Sequence, residues 1–407
     1  MKRQPGQELR TLFPQLGRSV RGRALTYLDN AATTLKPKPM IEAMNWYYSN
    51  DVANIHRAAH FLGDQGTTFY ENVREKARLF LNAQSSEEII FTKGTTEGLN
   101  LLAQTLVPNR LKKGDVILLS QMEHHSNIVP WQLAAEKVGV EIKAIGVTDQ
   151  GELDIEDFKR QLTDKVKILS LCHVSNTLGT INPLKEIIAL AKVKNVITVV
   201  DAAQSVALGL VDVQELDCDF LVFSGHKLYG PNGIGVLYGR LELLRGLPPY
   251  QGGGSMIAEV TFDKTTYLEP PHRFEAGTPA IAEVVGLGAA LDFIQQFDHV
   301  KVRCYEHDLV SQALEGLKST KGLRLVGTSK TRTNIISFVM DRIHPSDIGQ
   351  LLDQQGVAIR TGHHCCQPLM TRFGISGTVR LSFAAYNSSE DVDAFLTAFN
   401  KVKGLLQ

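Results

Sequence analysis

Residues 197–227 read ITVVDAAQSVALGLVDVQELDCDFLVFSGHK, two short apolar runs separated by a more polar stretch. Ile197–Asp201 and Phe220–Ser224 are mostly β-branched, aliphatic or aromatic until their last residue. That is the pattern of strands buried on both faces of a parallel sheet, whose crossovers cover both sides. Each run ends on chemistry: a carboxylate at Asp201, and the turn Ser224-Gly225-His226-Lys227. Ligands of open α/β sheets sit beyond the carboxyl ends of strands, so these two ends mark a candidate site.

Working outward, comparable runs occur at Glu88–Thr92, Val116–Ser120, Lys167–His173 and Ile234–Tyr238. Helical patterns lie between them at Ile128–Val138 and Pro183–Lys194, the second with Asn182 as N-cap and Pro183 at the first helical position. The alternation predicts an α/β domain with a mostly parallel central sheet. A Gly/Pro-rich connection runs from Pro248 to Pro279, followed by a continuous helical stretch from Ala280 to about Lys318. Strands near Asn334–Met340, Val357–Arg360 and Val379–Ala384 then alternate with helices, the last opening at Ser388 with Asp391 in a capping box. The 407 residues divide into an N-terminal segment (1–25) that packs with the small domain, a large domain (26–295) and a smaller α+β domain (296–407).

Lys+Arg and Asp+Glu both number 43, which leaves no electrostatic footprint for nucleic acid or an anionic membrane. The first residues, MKRQPGQELR, run into polar sequence rather than a secretory apolar core. No apolar run approaches the ~20 residues that span a bilayer. A cytoplasmic location is expected. Five cysteines with no CxxC spacing argue against a disulfide framework and a structural zinc site. Cys172, Cys218 and Cys304 lie in apolar or strand–helix contexts and are expected to be small buried hydrophobes. Cys365 does not fit that expectation, because it lies in a polar, glycine-containing, His-flanked loop.

Further candidate groups join the two strand ends. Gly94-Thr95-Thr96 opens a helix after the strand Glu88–Thr92 and offers backbone N–H groups and a helix dipole to an anion. Taken alone, it reads equally well as a capped turn. Asp201 suits a protonated ring nitrogen, or simply caps the next helix. Lys227, at the edge of a partly dry pocket, suits a Schiff base, although most lysines are merely solvated. His124-His125 follows Val116–Ser120 and could stack on a flat ring or move protons. No metal site is expected there, for want of companion ligands.

In this joint order the groups resemble the fold-type I pyridoxal-phosphate enzymes, specifically the class-V aminotransferase branch. The resemblance implies that Lys227 carries pyridoxal 5'-phosphate, Asp201 pairs with its ring nitrogen, and Gln204 reaches its phenolic oxygen. It also implies that His124 stacks on the ring while Thr95, Thr96, Ser224 and His226 hold the phosphate. The segment Arg360-Thr361-Gly362-His363-His364-Cys365-Cys366-Gln367-Pro368-Leu369-Met370 then selects among reactions. Histidines beside a thiol can lower its pKa or exchange its proton.

That segment resembles the active-site loop of SufS-type (group II) cysteine desulfurases, and its short length favours that group over the NifS/IscS type. Matching stretches include Tyr27–Ala32, Asn54–Arg57, Gly94–Gly98, Glu123–Trp131, His173–Gly179 and Phe274–Pro279. The implied activity moves sulfur from L-cysteine to a persulfide on Cys365, with Lys227 and His124 as further catalytic groups. Substrate contacts fall to Arg380, Asn176, Arg360 and His56. L-Selenocysteine is an implied second substrate, and a SufE- or SufU-like acceptor feeding iron–sulfur assembly an implied partner. The resemblance further implies a homodimer, with Thr278 donated to the partner's phosphate and Glu97 near that interface. Cys366 departs from the family pattern and is read as a bystander. Rival readings are an aminotransferase or kynureninase, which need no thiol, and a non-enzymatic metal or cluster scaffold, which consecutive His and Cys residues suit poorly.

Overall fold

A computed structural model describes residues 3–56 and 59–406. Its central sheet has seven strands: β1 (Ile89–Thr92), β2 (Val116–Ser120), β3 (Glu141–Ile145), β4 (Val166–Cys172), β5 (Ile197–Asp201), β6 (Phe220–Ser224) and β7 (Gly235–Gly239). Their spatial order is β1-β7-β6-β5-β4-β2-β3. Every strand runs parallel except β7, which is antiparallel to both β1 and β6. The reversal follows from chain length, because the stretch between Ser224 and Gly235 is shorter than the dozen or so residues a parallel crossover needs. β1, β2, β6 and β7 are buried at every position, as their apolar runs require.

A second sheet, of strands β8 (Leu323–Val326), β9 (Ile335–Met340), β10 (Arg360–Gly362) and β11 (Thr378–Ser382), is antiparallel in the order β8-β9-β11-β10. Helices α1 (Thr95–Arg110), α2 (Ile281–Ile294), α3 (His299–Lys318) and α4 (Ser389–Leu406) are the longer ones that matter for the site. α3 and α4 cover the second sheet over a core that includes Leu309, Phe338, Leu381 and Phe395. A larger core packs against the central sheet, around Phe223, Leu228 and Leu287.

Several expectations need correction. The helical stretch expected from Ala280 to Lys318 is two helices, broken at 295–298, where the Asp298 side chain accepts from Lys301 N and starts α3. Pro183, not Asn182, occupies the N-cap of the helix Leu184–Val193; Asn182 is buried and spends its amide on the Cys172 carbonyl, 2.8 Å away. The strand expected at Val357–Arg360 divides: Val357–Ala358 pairs in parallel with Thr26–Tyr27, while Arg360–Gly362 joins β11. That division brings the Tyr27–Ala32 motif beside Arg360. The Pro248–Pro279 connection contains a hairpin, Ile257–Val260 with Thr265–Tyr267. Residues 3–25 touch elements of both sheets: Arg10 pairs with Asp391 of α4 at 2.7 Å, and the Phe13 ring packs on Tyr229, Phe293 and Tyr386.

Candidate active site

The strand ends β4, β5 and β6 and the N-terminus of α1 enclose a cavity of about 210 Å3. Gly94 precedes α1 at φ 147°, and a Cβ there would stand 3.0 Å from Ser224 Oγ. Glycine is needed for both the backbone conformation and the contact. Ser224 Oγ accepts from Thr95 N at 2.8 Å and lies 2.9 Å from Thr95 Oγ1, so β6 and α1 close on each other at this corner. The N-terminus of α1 and the hydroxyls of Thr95, Thr96 and Ser224 make it a seat for an oxyanion.

Lys227 follows in the 3-10 turn Gly225–Lys227. The turn is held from outside, because the His226 carbonyl accepts from Thr34 N (3.1 Å), Thr33 Oγ1 (3.0 Å) and Lys36 Nζ (2.8 Å). Burial pushes the Lys227 pKa down by more than Asp201 pulls it up, and the net lowering raises the share of free amine. Asp201 is itself pushed up by burial, with a counter-effect from the Ala203 amide, which donates to its Oδ1 at 2.9 Å, and from Lys227. Gln204 lines the same wall, its Nε2 donating to the Ala31 carbonyl at 2.7 Å.

His124 faces this floor. Its Nδ1 accepts from Ser126 N at 3.1 Å and lies 2.8 Å from Ser126 Oγ, so the neutral ring carries its proton on Nε2. Burial, then Lys227, His125 and Arg380, lower its pKa to about 3, and the ring is neutral at ordinary pH. Burial and the cations Lys227 and Lys36 likewise bring His226 down to about 4. Behind His124 lies Glu123, fully buried, with Oε2 accepting from Asn127 Nδ2 (2.7 Å) and Cys172 N (2.9 Å) and Oε1 2.5 Å from Ser120 Oγ. Burial raises its pKa to about 8, and the nearby Asp201 adds to the rise. One of two neighbouring carboxyls is therefore kept neutral.

The Cys365 loop closes the opposite side, between β10 and the helix Gln367–Arg372. Gly362 (φ 106°), His364 (φ 51°) and Cys365 (φ 57°) all take left-handed backbone conformations. For the two non-glycine residues these are sparsely populated and held by their surroundings. The Cys365 carbonyl accepts from His125 N at 2.7 Å and its amide donates to His363 Nδ1 at 3.0 Å. His364 turns inward to Thr378 Oγ1 (2.8 Å), and burial, then Arg380 and Arg360, lower its pKa to about 2. It is neutral and provides no imidazolium for the thiol. Cys366 is buried, with its Sγ on Asn176 Oδ1 at 3.0 Å, and burial pushes its thiol up to about 12. Arg380 is 2% exposed, donating from Nη1 to the Asn176 carbonyl (2.8 Å) and from Nη2 to Asp29 Oδ1 (3.0 Å). Among the described residues its Nε has no partner.

The residues given a catalytic, cofactor or substrate role from sequence line this cavity, except Thr278 and His56. Thr278 lines a separate recess of about 240 Å3 together with Glu97 and Lys93. His56 binds Glu71 through Nε2 at 3.0 Å and stands beside His272, while Arg57 lies outside the described residues. Cys172 and Cys218 are buried, but Cys304 is exposed. It falls off the buried stripe Val302, Glu306, Leu309 and Ala313 of α3, so local apolar context misjudged it. Sequence reasoning gave no role to Glu123 or Ser126, and none to Asp29, although the latter stands in the quoted Tyr27–Ala32 motif.

Residues 26–395 match the family model "Aminotransferase class-V", and the chain belongs to that family. A cysteine desulfurase of Synechococcus elongatus is 47% identical, covering 97% of this chain and 63% of that protein. A probable cysteine desulfurase of Vibrio cholerae is 45% identical over 98% of both chains. The solved structure of the cysteine desulfurase of Thermococcus onnurineus superposes with a TM-score of 0.93 at 40% identity, covering 99% of each chain. Enzymes of this class depend on pyridoxal phosphate. The cavity fits that group: Lys227 provides an amine of lowered pKa, the Gly94–Thr96 corner an oxyanion seat, and Asp201 a buried carboxylate whose Oδ1 accepts, among the described residues, from the Ala203 amide.

Proposed function

We propose that this chain is a cysteine desulfurase that takes sulfur from L-cysteine as a persulfide on Cys365 and releases alanine. The observation that carries this reading is that a loop thiol, Cys365, and an amine just past a strand end, Lys227, line one small cavity. Bound pyridoxal phosphate supplies an electron sink for the substrate's α-carbon.

The rest falls to the chain itself. Arg380 receives the substrate carboxylate, with Asn176 and Arg360 beside it. The Lys227 amine takes the Cα proton and later returns it, a task that its lowered pKa favours. Cys365 forms the new S–S bond as the substrate Cβ–S bond breaks, and that bond's electron pair goes to carbon, which takes up one proton in balance with the one the Cys365 thiol gives up. His124, neutral with its hydrogen on Nε2, donates a hydrogen bond at the substrate sulfur. Thr95, Thr96, Ser224 and His226 hold the phosphate.

The same reading makes residues 26–295 and 296–407 two functional domains, with the cavity between them; residues 3–25 lie against both, through Phe13 on Tyr229 and Phe293 and Arg10 on Asp391. It assigns Thr278, which stands away from this chain's own cavity, to a homodimer interface, where it reaches the partner's phosphate. L-Selenocysteine is the second substrate, because selenium leaves more readily than sulfur. A SufE- or SufU-like protein takes the persulfide sulfur for iron–sulfur cluster assembly in the cytoplasm. Among the described residues no helix is long and apolar enough to cross a membrane.

Cys365→Ser tests the reading. It should retain the cofactor's visible absorbance and lose alanine production from L-cysteine by at least about a hundredfold, the scale of removing a reacting group. Unchanged alanine production would overturn the role of Cys365.

A further inference from the structure

Two guanidinium groups line the cavity, and among the described residues they share a single carboxylate, Asp29. Asp29 Oδ1 accepts from Arg380 Nη2 at 3.0 Å and its Oδ2 accepts from Arg360 Nε at 3.2 Å. Asp29 follows the short strand Thr26–Tyr27 and pairs with Ser382, two residues beyond Arg380. Ser382 N donates to the Leu28 carbonyl (2.8 Å), and Ala31 N donates to Ser382 Oγ (2.8 Å). The backbone on either side of Asp29 is thereby fixed to the strand that carries Arg380.

The two arginines differ in freedom. Arg380 is 2% exposed and its Nε has no partner among the described residues, whereas the Arg360 side chain is 48% exposed and holds Asp29 through one nitrogen. A buried guanidinium N–H without an acceptor is costly, so this wall is built for an acceptor that arrives. Two cations against one carboxylate leave a single positive charge, which matches one monoanionic carboxylate.

We propose that Asp29 is a positioning residue that aligns Arg380 and holds Arg360 at the cavity mouth, so that the pair accepts one α-carboxylate and selects amino acids over simple amines. The proposal rests on the reading of Arg380 as the carboxylate's receiver. It adds the residue that makes two separate arginines act as one recognition unit. Asp29→Asn keeps the shape and one acceptor, but it removes the charge that sets both guanidiniums.

The test compares L-cysteine with cysteamine, which has the same amine and thiol but no carboxylate, on the cofactor-loaded wild type, Asp29→Asn, Arg360→Gln and the double variant. Cofactor absorbance changes report binding of both ligands, and KM and kcat are measured for L-cysteine. Asp29→Asn should raise KM for L-cysteine about tenfold, with a smaller change in kcat. The concentration dependence for cysteamine should stay within about twofold. The double variant should lose less than the sum of the singles for L-cysteine alone. Equal weakening of both ligands, no weakening of either, or strict additivity would overturn the role of Asp29. Should Asp29→Asn fail to fold, Arg360→Gln still decides, since an L-cysteine-specific loss supports the pair and an equal loss for cysteamine refutes it. A wild type that yields no alanine from L-cysteine would instead sink the reading of the site itself.

Discussion

At Lys227 two effects oppose each other: burial disfavours the ammonium form, and Asp201 favours it. The neighbouring carboxyls show how the pocket apportions its charge. Asp201 lines the cavity, while Glu123 sits behind it with its oxygens already engaged by Ser120, Asn127 and Cys172. Glu123 has a folded-state pKa of about 8 against an ordinary 4.5, so the folded chain binds the extra proton between those values. Its contribution to stability is complete below pH 4.5 and is lost as pH rises through 8. Glu123→Gln copies the protonated form and has nothing to lose. Relative to wild type it should gain on the order of 1–3 kcal/mol between pH 5 and pH 8.5, read from denaturant unfolding at each pH. Parallel stability curves would show that Glu123 is ionised. Lys227 and Asp201 stood out in the sequence because each closes or follows an apolar run with chemistry, and Cys365 because its loop is polar and flanked by histidines. Asp29 was not, because its importance lies in contacts with Arg360 and Arg380, more than three hundred positions away along the chain.

Elements explain the other successes and misses. β2, β5 and β6 fall where their apolar runs place them, because a strand buried on both faces needs nothing but apolar residues. β3 was missed since it is an edge strand, and Glu141, Lys143 and Ala144 face solvent. The break between α2 and α3 was missed because an N-cap Asp within a helical pattern looks like any other polar position. At the β1–α1 corner, Gly94→Ala puts a Cβ 3.0 Å from Ser224 Oγ at a φ of 147°, a backbone region hostile to L-residues. The variant should lose about 1–3 kcal/mol of stability and release pyridoxal phosphate more readily on dialysis. Wild-type cofactor retention would mean that this corner is only a turn.

On the scale of the whole molecule, the cavity exists because the chain returns to it repeatedly. Strands β4, β5 and β6 and the α1 end make its floor, and Arg360, Cys365 and Arg380 come from the second sheet and its loop. The α/β class and the mostly parallel sheet were readable from the alternation of continuously apolar runs with helical patterns. The parallel pairing of Thr26–Tyr27 with Val357–Ala358 was not, because two-residue strands carry no periodicity, yet it is what carries Asp29 to the arginines. The account's central claim is that substrate sulfur crosses this cavity to one thiol. The most direct measurement is the mass of the cofactor-loaded protein after brief exposure to L-cysteine, without an acceptor thiol, with the added mass placed by fragmenting the peptide that holds Cys365 and Cys366. The account predicts one extra sulfur atom, on Cys365, in step with one alanine released. Alanine formed with no sulfur on the protein, or with the sulfur on Cys366, Cys172 or any other residue, would contradict it.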